Sequence, residues 1–218
     1  MEDYVLETKN LSKSFKKQII FESVSLSLER GKAYGFVGHN GSGKSILFKI
    51  LSGLLSPDNG EIKIFGKILG KEIDFPPNTG IIIETPQFLE DYSGIKNLRY
   101  LAAIQNKITD TTIKSTLERV GLEPENRQPV KKYSLGMKQK LGIAQAIMES
   151  PNLLILDEPF NGLDKTSVQK IRSLLLELKK NGVTILLTSH IQKDIELICD
   201  EVFEFNEKKL EKVSVTER

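Results

Sequence analysis

The stretch GHNGSGKS at residues 38 to 45 sets three glycines, two serines and one lysine directly after the apolar run Tyr34, Gly35, Phe36, Val37. Gly38, Gly43, Lys44 and Ser45 satisfy the pattern G-x-x-x-x-G-K-[ST], and a strand-like run precedes it while helical spacing follows. Glycines let successive backbone N–H groups turn inward on an anion without Cβ clashes. The helix starting near Lys44 adds the positive end of its dipole. Lys44 supplies a point charge for β- and γ-phosphates, and Ser45 offers a hydroxyl to Mg²⁺. A Gly-rich turn that binds nothing is the plainer alternative, but it does not account for strand, loop and helix arriving in that order. The side chains of His39 and Asn40 read as loop filler.

A second group of residues complements the first. Leu153, Leu154, Ile155 and Leu156 run into Asp157 and Glu158, which places two carboxylates at the C-terminal end of a buried strand, where α/β folds gather ligands. Asp157 is expected to hold the Mg²⁺ shell and Glu158 to polarise the water that attacks a γ-phosphate. Two acids merely capping a strand into solvent would leave the glycine loop without a metal partner.

These residues need elements to hold them. Tyr4 to Leu6, Val24 to Leu28 and Ala33 to Val37 read as short strands separated by turns, a sheet-rich N-terminal layer. Ile46, Leu47, Ile50 and Leu51 mark a helix from Lys44 to Ser52 that Gly53 stops. Glu61 to Phe65 and Gly80 to Ile83 read as further strands. Between about 93 and 150 the spacing is wholly helical: Leu98, Leu101 and Ala102, then Ile113, Leu117 and Val120, then Leu135 to Met148. From 153 onward strand and helix alternate, with strands at Leu153 to Leu156 and Val183 to Leu187. Helices follow at Val168 to Leu178 and Ile191 to Cys199, which implies a parallel sheet flanked by helices. The expected fold is α/β. It has a phosphate-loop core with a mostly parallel sheet, an N-terminal antiparallel β-subdomain and an inserted α-helical subdomain. The core with its β-layer would take 1–92 and 151–218, and the helical insertion 93–150.

Composition bounds the function. With 31 Lys and Arg against 29 Asp and Glu, net charge gives no reason to invoke nucleic acid. Cys199 has no partner for an internal disulfide and reads as a small buried hydrophobe in a reducing compartment. The acidic start MEDYVLETKN lacks an apolar core, so no cleaved secretory signal is expected. The longest apolar runs fall far short of the ~20 residues of a membrane helix. A cytoplasmic chain is expected, and any membrane role would come through a partner.

The run KYSLGMKQKLGIAQAI, followed by LLILDEPFNGLD and then TSH, resembles the ATP-binding subunit of ABC (ATP-binding cassette) transporters over essentially the whole chain. The resemblance implies ATP and Mg²⁺ as ligands, with Gly38 and Asn40, Gly41, Ser42, Gly43, Lys44, Ser45 and Ile46 around the phosphates and Phe15 stacked on adenine. Ser45, Asp157 and Glu84 would face the metal. Glu158, His190 and Lys44 would carry hydrolysis. Ser134 and Gly136 would reach across a head-to-tail dimer to the γ-phosphate held by the other subunit, and Asp164 would cross that interface. Ser134 and Asp164 also read as helix N-caps. The implied partners are an integral membrane permease subunit and a second cassette, as homodimer or heterodimer, with the chain peripheral on the cytoplasmic face of the cell membrane.

Two departures from the family pattern stand out. Glu84 occupies the place where such subunits usually have Gln, so a carboxylate stands near phosphate and is unfavourable there until Mg²⁺ is present; Gln87 is a weaker candidate for the same role. The signature reads Tyr133, Ser134, Leu135, Gly136, Met137 in place of L-S-G-G-Q. The pairing of IIETP with YSLGMKQKLGIA is similar to the bacitracin-resistance and lantibiotic-immunity type. The rival readings are a soluble ABC ATPase acting on ribosomes or DNA, which usually pairs two cassettes or carries a long coiled coil, and a small-metabolite kinase, which leaves YSLGMKQ and NGLD unexplained.

Overall fold

The computed structural model describes residues 4–16 and 18–214; the first three residues of the acidic start lie outside it. The chain opens with β1 (Tyr4–Phe15) and β2 (Gln18–Glu29), an antiparallel pair, followed by β3 (Ala33–Val37) and α1 (Lys44–Leu51). Then come β4 (Asn59–Ile64), the two-residue β5 (Lys67–Ile68) and β6 (Thr79–Ile82). Three helices follow, α2 (Gly94–Gln105), α3 (Asp110–Val120) and α4 (Leu135–Ile147), with a 3-10 turn at Val130–Lys132 before the last. The chain closes with β7 (Leu153–Leu156), α5 (Lys165–Lys180), β8 (Thr184–Thr188), α6 (Gln192–Ile198), β9 (Glu201–Asn206) and β10 (Lys209–Val213).

Two sheets result. An antiparallel sheet has the order β2-β1-β4-β5. The other has the order β10-β9-β3-β8-β7-β6, parallel throughout except for β10, which runs antiparallel on the β9 edge. The inner strands β3, β7 and β8 are buried on both faces, which is why they read as unbroken, largely apolar runs. Their side chains alternate between two cores. Leu154, Leu156, Ile185 and Leu187 join the core beneath the helices, while Leu153, Ile155 and Leu186 join Tyr34, Phe36 and the β1 to β4 layer. α1 packs into this second core through Leu47, Phe48, Ile50 and Leu51. The helix ends in a Schellman arrangement, with Gly53 N–H on Ile50 O and Leu54 N–H on Lys49 O.

The α2–α4 segment joins β6 to β7, which are neighbours in the sheet. The structure also lengthens and adds strands. β1 runs twelve residues, well past Leu6, because register shifts after Tyr4, Thr8, Leu11 and Lys13 break the alternation that would have marked it. β5, β9 and β10 carry no counterpart among the sequence expectations. β8 ends on Thr188, one residue beyond Leu187, and that residue matters below.

Candidate phosphate and metal site

β3 delivers the glycine loop and α1 begins it anew as a helix at Lys44. The N-cap is Gly43, at φ 110 and with no side chain capping the helix. A Cβ at Gly43 would lie 2.9 Å from Ile20 Cγ2, so only glycine suits both the torsion and the space. The first amides of α1 therefore remain open toward the cleft. Lys44 Nζ folds back to donate to Gly38 O at 2.9 Å and His39 O at 3.0 Å, and the side chain is buried. Burial pushes its pKa down, against the opposing pull of Glu158 and Asp157. Ser42 Oγ is buried with no hydrogen-bond partner. His39 Nδ1 lies 2.9 Å from Asn40 O, a contact inside the loop.

The carboxylates arrive from β7. Asp157 N–H donates to Ile82 O at 2.7 Å, which locks this strand end to β6. Thr188 then bridges the two acids: its hydroxyl donates to Asp157 Oδ1 and accepts from Glu158 N–H, each at 2.8 Å. Glu158 takes a left-handed backbone, φ 49. Its Oε2 accepts from His190 N–H at 3.3 Å, and Oε1 lies 3.1 Å from His190 Nε2, a charge contact without the alignment of a hydrogen bond. Burial pushes the Glu158 pKa up; His190 pulls it down and Asp157 adds to the rise.

A cleft of about 280 Å³ opens between these groups, lined by Asn40, Gly41, Gly43, Lys44, Ser45, Ile46, Asp157, Glu158 and His190, with Ile20 at one wall. Nine of the residues singled out from the sequence thus meet in one place. Gly38 contributes its carbonyl to Lys44, and Ser42 sits behind the loop. Among the described residues no cluster of three or more His, Cys, Asp or Glu forms a cage for a metal. The donor set instead is one hydroxyl and one buried carboxylate beside a phosphate-sized cleft. That suits Mg²⁺, which keeps waters and completes its shell with substrate phosphates.

The other candidates stand apart from this cleft. Phe15 lies exposed at the end of β1, with Lys13 Nζ 5.2 Å from its ring centre. Glu84 does not line the cleft; its Oε1 accepts from Lys49 Nζ at 2.5 Å. Gln87 turns its amide to Thr85 O. Ser134 caps α4 by accepting from Met137 N–H at 3.2 Å. Asp164 caps α5, with Ser167 N–H and Oγ on its two oxygens, and these bonds hold its carboxyl below the usual range. The two caps belong to one surface. A Cβ on Gly136 would fall 2.6 Å from Gly162 O, and Leu135 leans over Gly162 while staying 58% exposed.

Residues that motif reasoning passed over complete the support. Buried Gln139 of α4 donates to Glu158 O at 3.4 Å and to Pro159 O at 3.2 Å. Asp194 is wholly buried between Arg172 and Ser189, and Ser189 Oγ also accepts from Ile191 N–H, so the turn carrying His190 is tied to α5. The only sequence sign of Thr188 was its place beside His190 in TSH.

The family model described as ABC transporter matches residues 21–161. The chain belongs to the ABC transporter family. An uncharacterised ABC transporter ATP-binding protein of Bacillus subtilis (strain 168) is 45% identical over 207 residues, covering 95% of both chains. A bacitracin transport ATP-binding protein of Enterococcus faecalis is 41% identical over 218 residues, covering 99% of this chain and 71% of the relative. A solved structure of an ATP-binding subunit of an ABC transporter superposes with a TM-score of 0.85 at 32% identity, covering 96% of this chain and 90% of that one. The α/β fold expected from the sequence is the fold of this family, and the chain is an ATP-binding, ATP-hydrolysing ABC transporter subunit. Among the described residues no helix is long and apolar enough to cross a membrane.

Proposed function

We propose that this ABC transporter ATPase binds Mg·ATP in two composite pockets formed with a second cassette, as homodimer or heterodimer, and uses hydrolysis to drive a separate integral membrane permease. One observation carries this reading. Ser134, Gly136 and Asp164 form a single surface, none of whose residues lines the chain's own phosphate cleft, so a γ-phosphate in that cleft has no Ser134 of the same chain to meet it. A second cassette facing it head to tail supplies the missing half.

Within each pocket Lys44 and the open amides of α1 hold the phosphates. Ser45 and Asp157 would hold Mg²⁺, which when bound neutralises charge on the β- and γ-phosphates. Thr188 orients Asp157. Glu158 is the base toward the attacking water; its raised pKa brings it nearer the working pH, which suits proton abstraction. His190, whose Nε2 lies 3.1 Å from Glu158 Oε1, faces the same water and the γ-phosphate. Phe15 offers a flat exposed ring to adenine. The chain would sit on the cytoplasmic face of the membrane through its permease.

Likeness to a bacitracin transport protein supports a peptide antibiotic as the cargo exported or resisted. The test is mass: Glu158→Gln protein sized with and without Mg·ATP should double only with nucleotide, and a monomer under saturating ATP overturns the composite pocket. Co-purification with a polytopic membrane protein is expected, whereas retention of ribosomes or DNA would favour the soluble rival.

A further inference from the structure

Glu84 is a candidate metal ligand that the structure turns away from the cleft, and it is turned toward a cation. The residue follows β6, whose Ile82 O holds Asp157 N–H at 2.7 Å, so the chain leaving β6 runs beside the metal-facing carboxylate. At Glu84 the backbone enters the left-handed region, φ 61, and its Oε1 meets Lys49 Nζ at 2.5 Å. Lys49 is the better-buried partner, its side chain 29% exposed against 65% for Glu84. Lys49 also stands four residues beyond Ser45 on α1, one turn away on the same face, about 6 Å along the axis. Helical side chains lean toward the N-terminus, which brings the Lys49 charge back toward Ser45 and the phosphate end of the helix.

We propose that Lys49 is a positioning residue that holds Glu84 off the phosphate cleft and cancels its charge, so that ATP can occupy the cleft before a metal ion does. The inference rests on the Mg·ATP reading of that cleft. Without Lys49, the Glu84 carboxylate is free to swing toward the cleft and oppose the triphosphate. An exposed ion pair contributes little to folding. Its effect therefore falls on ligand binding in the absence of metal, not on stability.

The test compares ATP dissociation constants in EDTA and in Mg²⁺ for the full chain and for Lys49→Met, Glu84→Gln and the double variant. Lys49→Met should weaken metal-free ATP about fivefold, the effect of one uncompensated charge near a phosphate chain, and Mg·ATP by less than about twofold once the cation screens the carboxylate. In the Glu84→Gln background the same substitution should change neither constant, and Lys49→Arg should restore wild-type binding. If Lys49→Met fails to fold, Lys49→Gln makes the same comparison. A loss that persists with Glu84 removed, or no loss in EDTA, overturns the role of Lys49. A Lys44→Ala protein that still binds ATP normally would instead overturn the Mg·ATP reading itself.

Discussion

The N-termini of α1 and α4 are built in opposite ways. α1 starts from Gly43 with no side chain on its free amides, whereas α4 starts from Ser134, whose hydroxyl takes up Met137 N–H. Thr109 and Asp164 likewise cap α3 and α5. A side-chain cap is worth about 1 kcal/mol, so α1 forgoes that stabilisation and keeps its donors for a ligand. The α4 end satisfies one donor internally and presents the others, with the exposed Leu135, outward. One end is a cradle open to its own cleft; the other is a capped end with Leu135 exposed beside it.

The strongest way to break the comparison separates holding from hydrolysing. Glu158→Gln should leave ATP bound in the cradle while hydrolysis falls about 10²–10⁴-fold, the range for loss of a general base; steady-state phosphate release at wild-type rates would remove Glu158 from that role. Gly43→Ala attacks the open end itself. Strain at φ 110 and the clash with Ile20 should cost about 1–3 kcal/mol, read as a lower melting temperature together with loss of ATP binding. Ser134→Ala attacks the capped end. It should cost about 1 kcal/mol of stability and leave ATP binding by the isolated chain intact, with hydrolysis lost, so equal loss of binding in both variants would erase the contrast.

The smallest effect is in pH. Burial raises the Glu158 pKa, so the base gains its proton at a higher pH than an ordinary glutamate does. The acid limb of hydrolysis should therefore lie above the usual carboxylate range, with activity falling as pH drops through it. In the residual activity of Glu158→Gln that limb should vanish.

The cradle was legible from sequence because its chemistry is local. Gly43, Lys44 and Ser45 are consecutive, and Asp157 and Glu158 end an unbroken apolar strand. The α1 stop at Gly53 and the caps at Ser134 and Asp164 are local too, and the structure has all three. What escaped depends on distant partners. Thr188 matters because β8 lies beside β7, and Gln139 because α4 crosses the end of that strand. The pairing of Glu84 with Lys49 joins residues 35 apart. β10 is hard to read for another reason: KLEKV is an exposed, charged edge, which protects a sheet border from unwanted pairing but hides the alternation that reveals a strand.

Gln139 makes α4 and the end of β7 a single lever. Its amide grips the carbonyls of Glu158 and Pro159 from within the helix that Ser134 begins. Any tilt of that helix must either drag the backbone beneath Glu158 or strip a buried amide of its acceptors. A pull on the helical block is thus passed to the backbone of the residue that would take the proton.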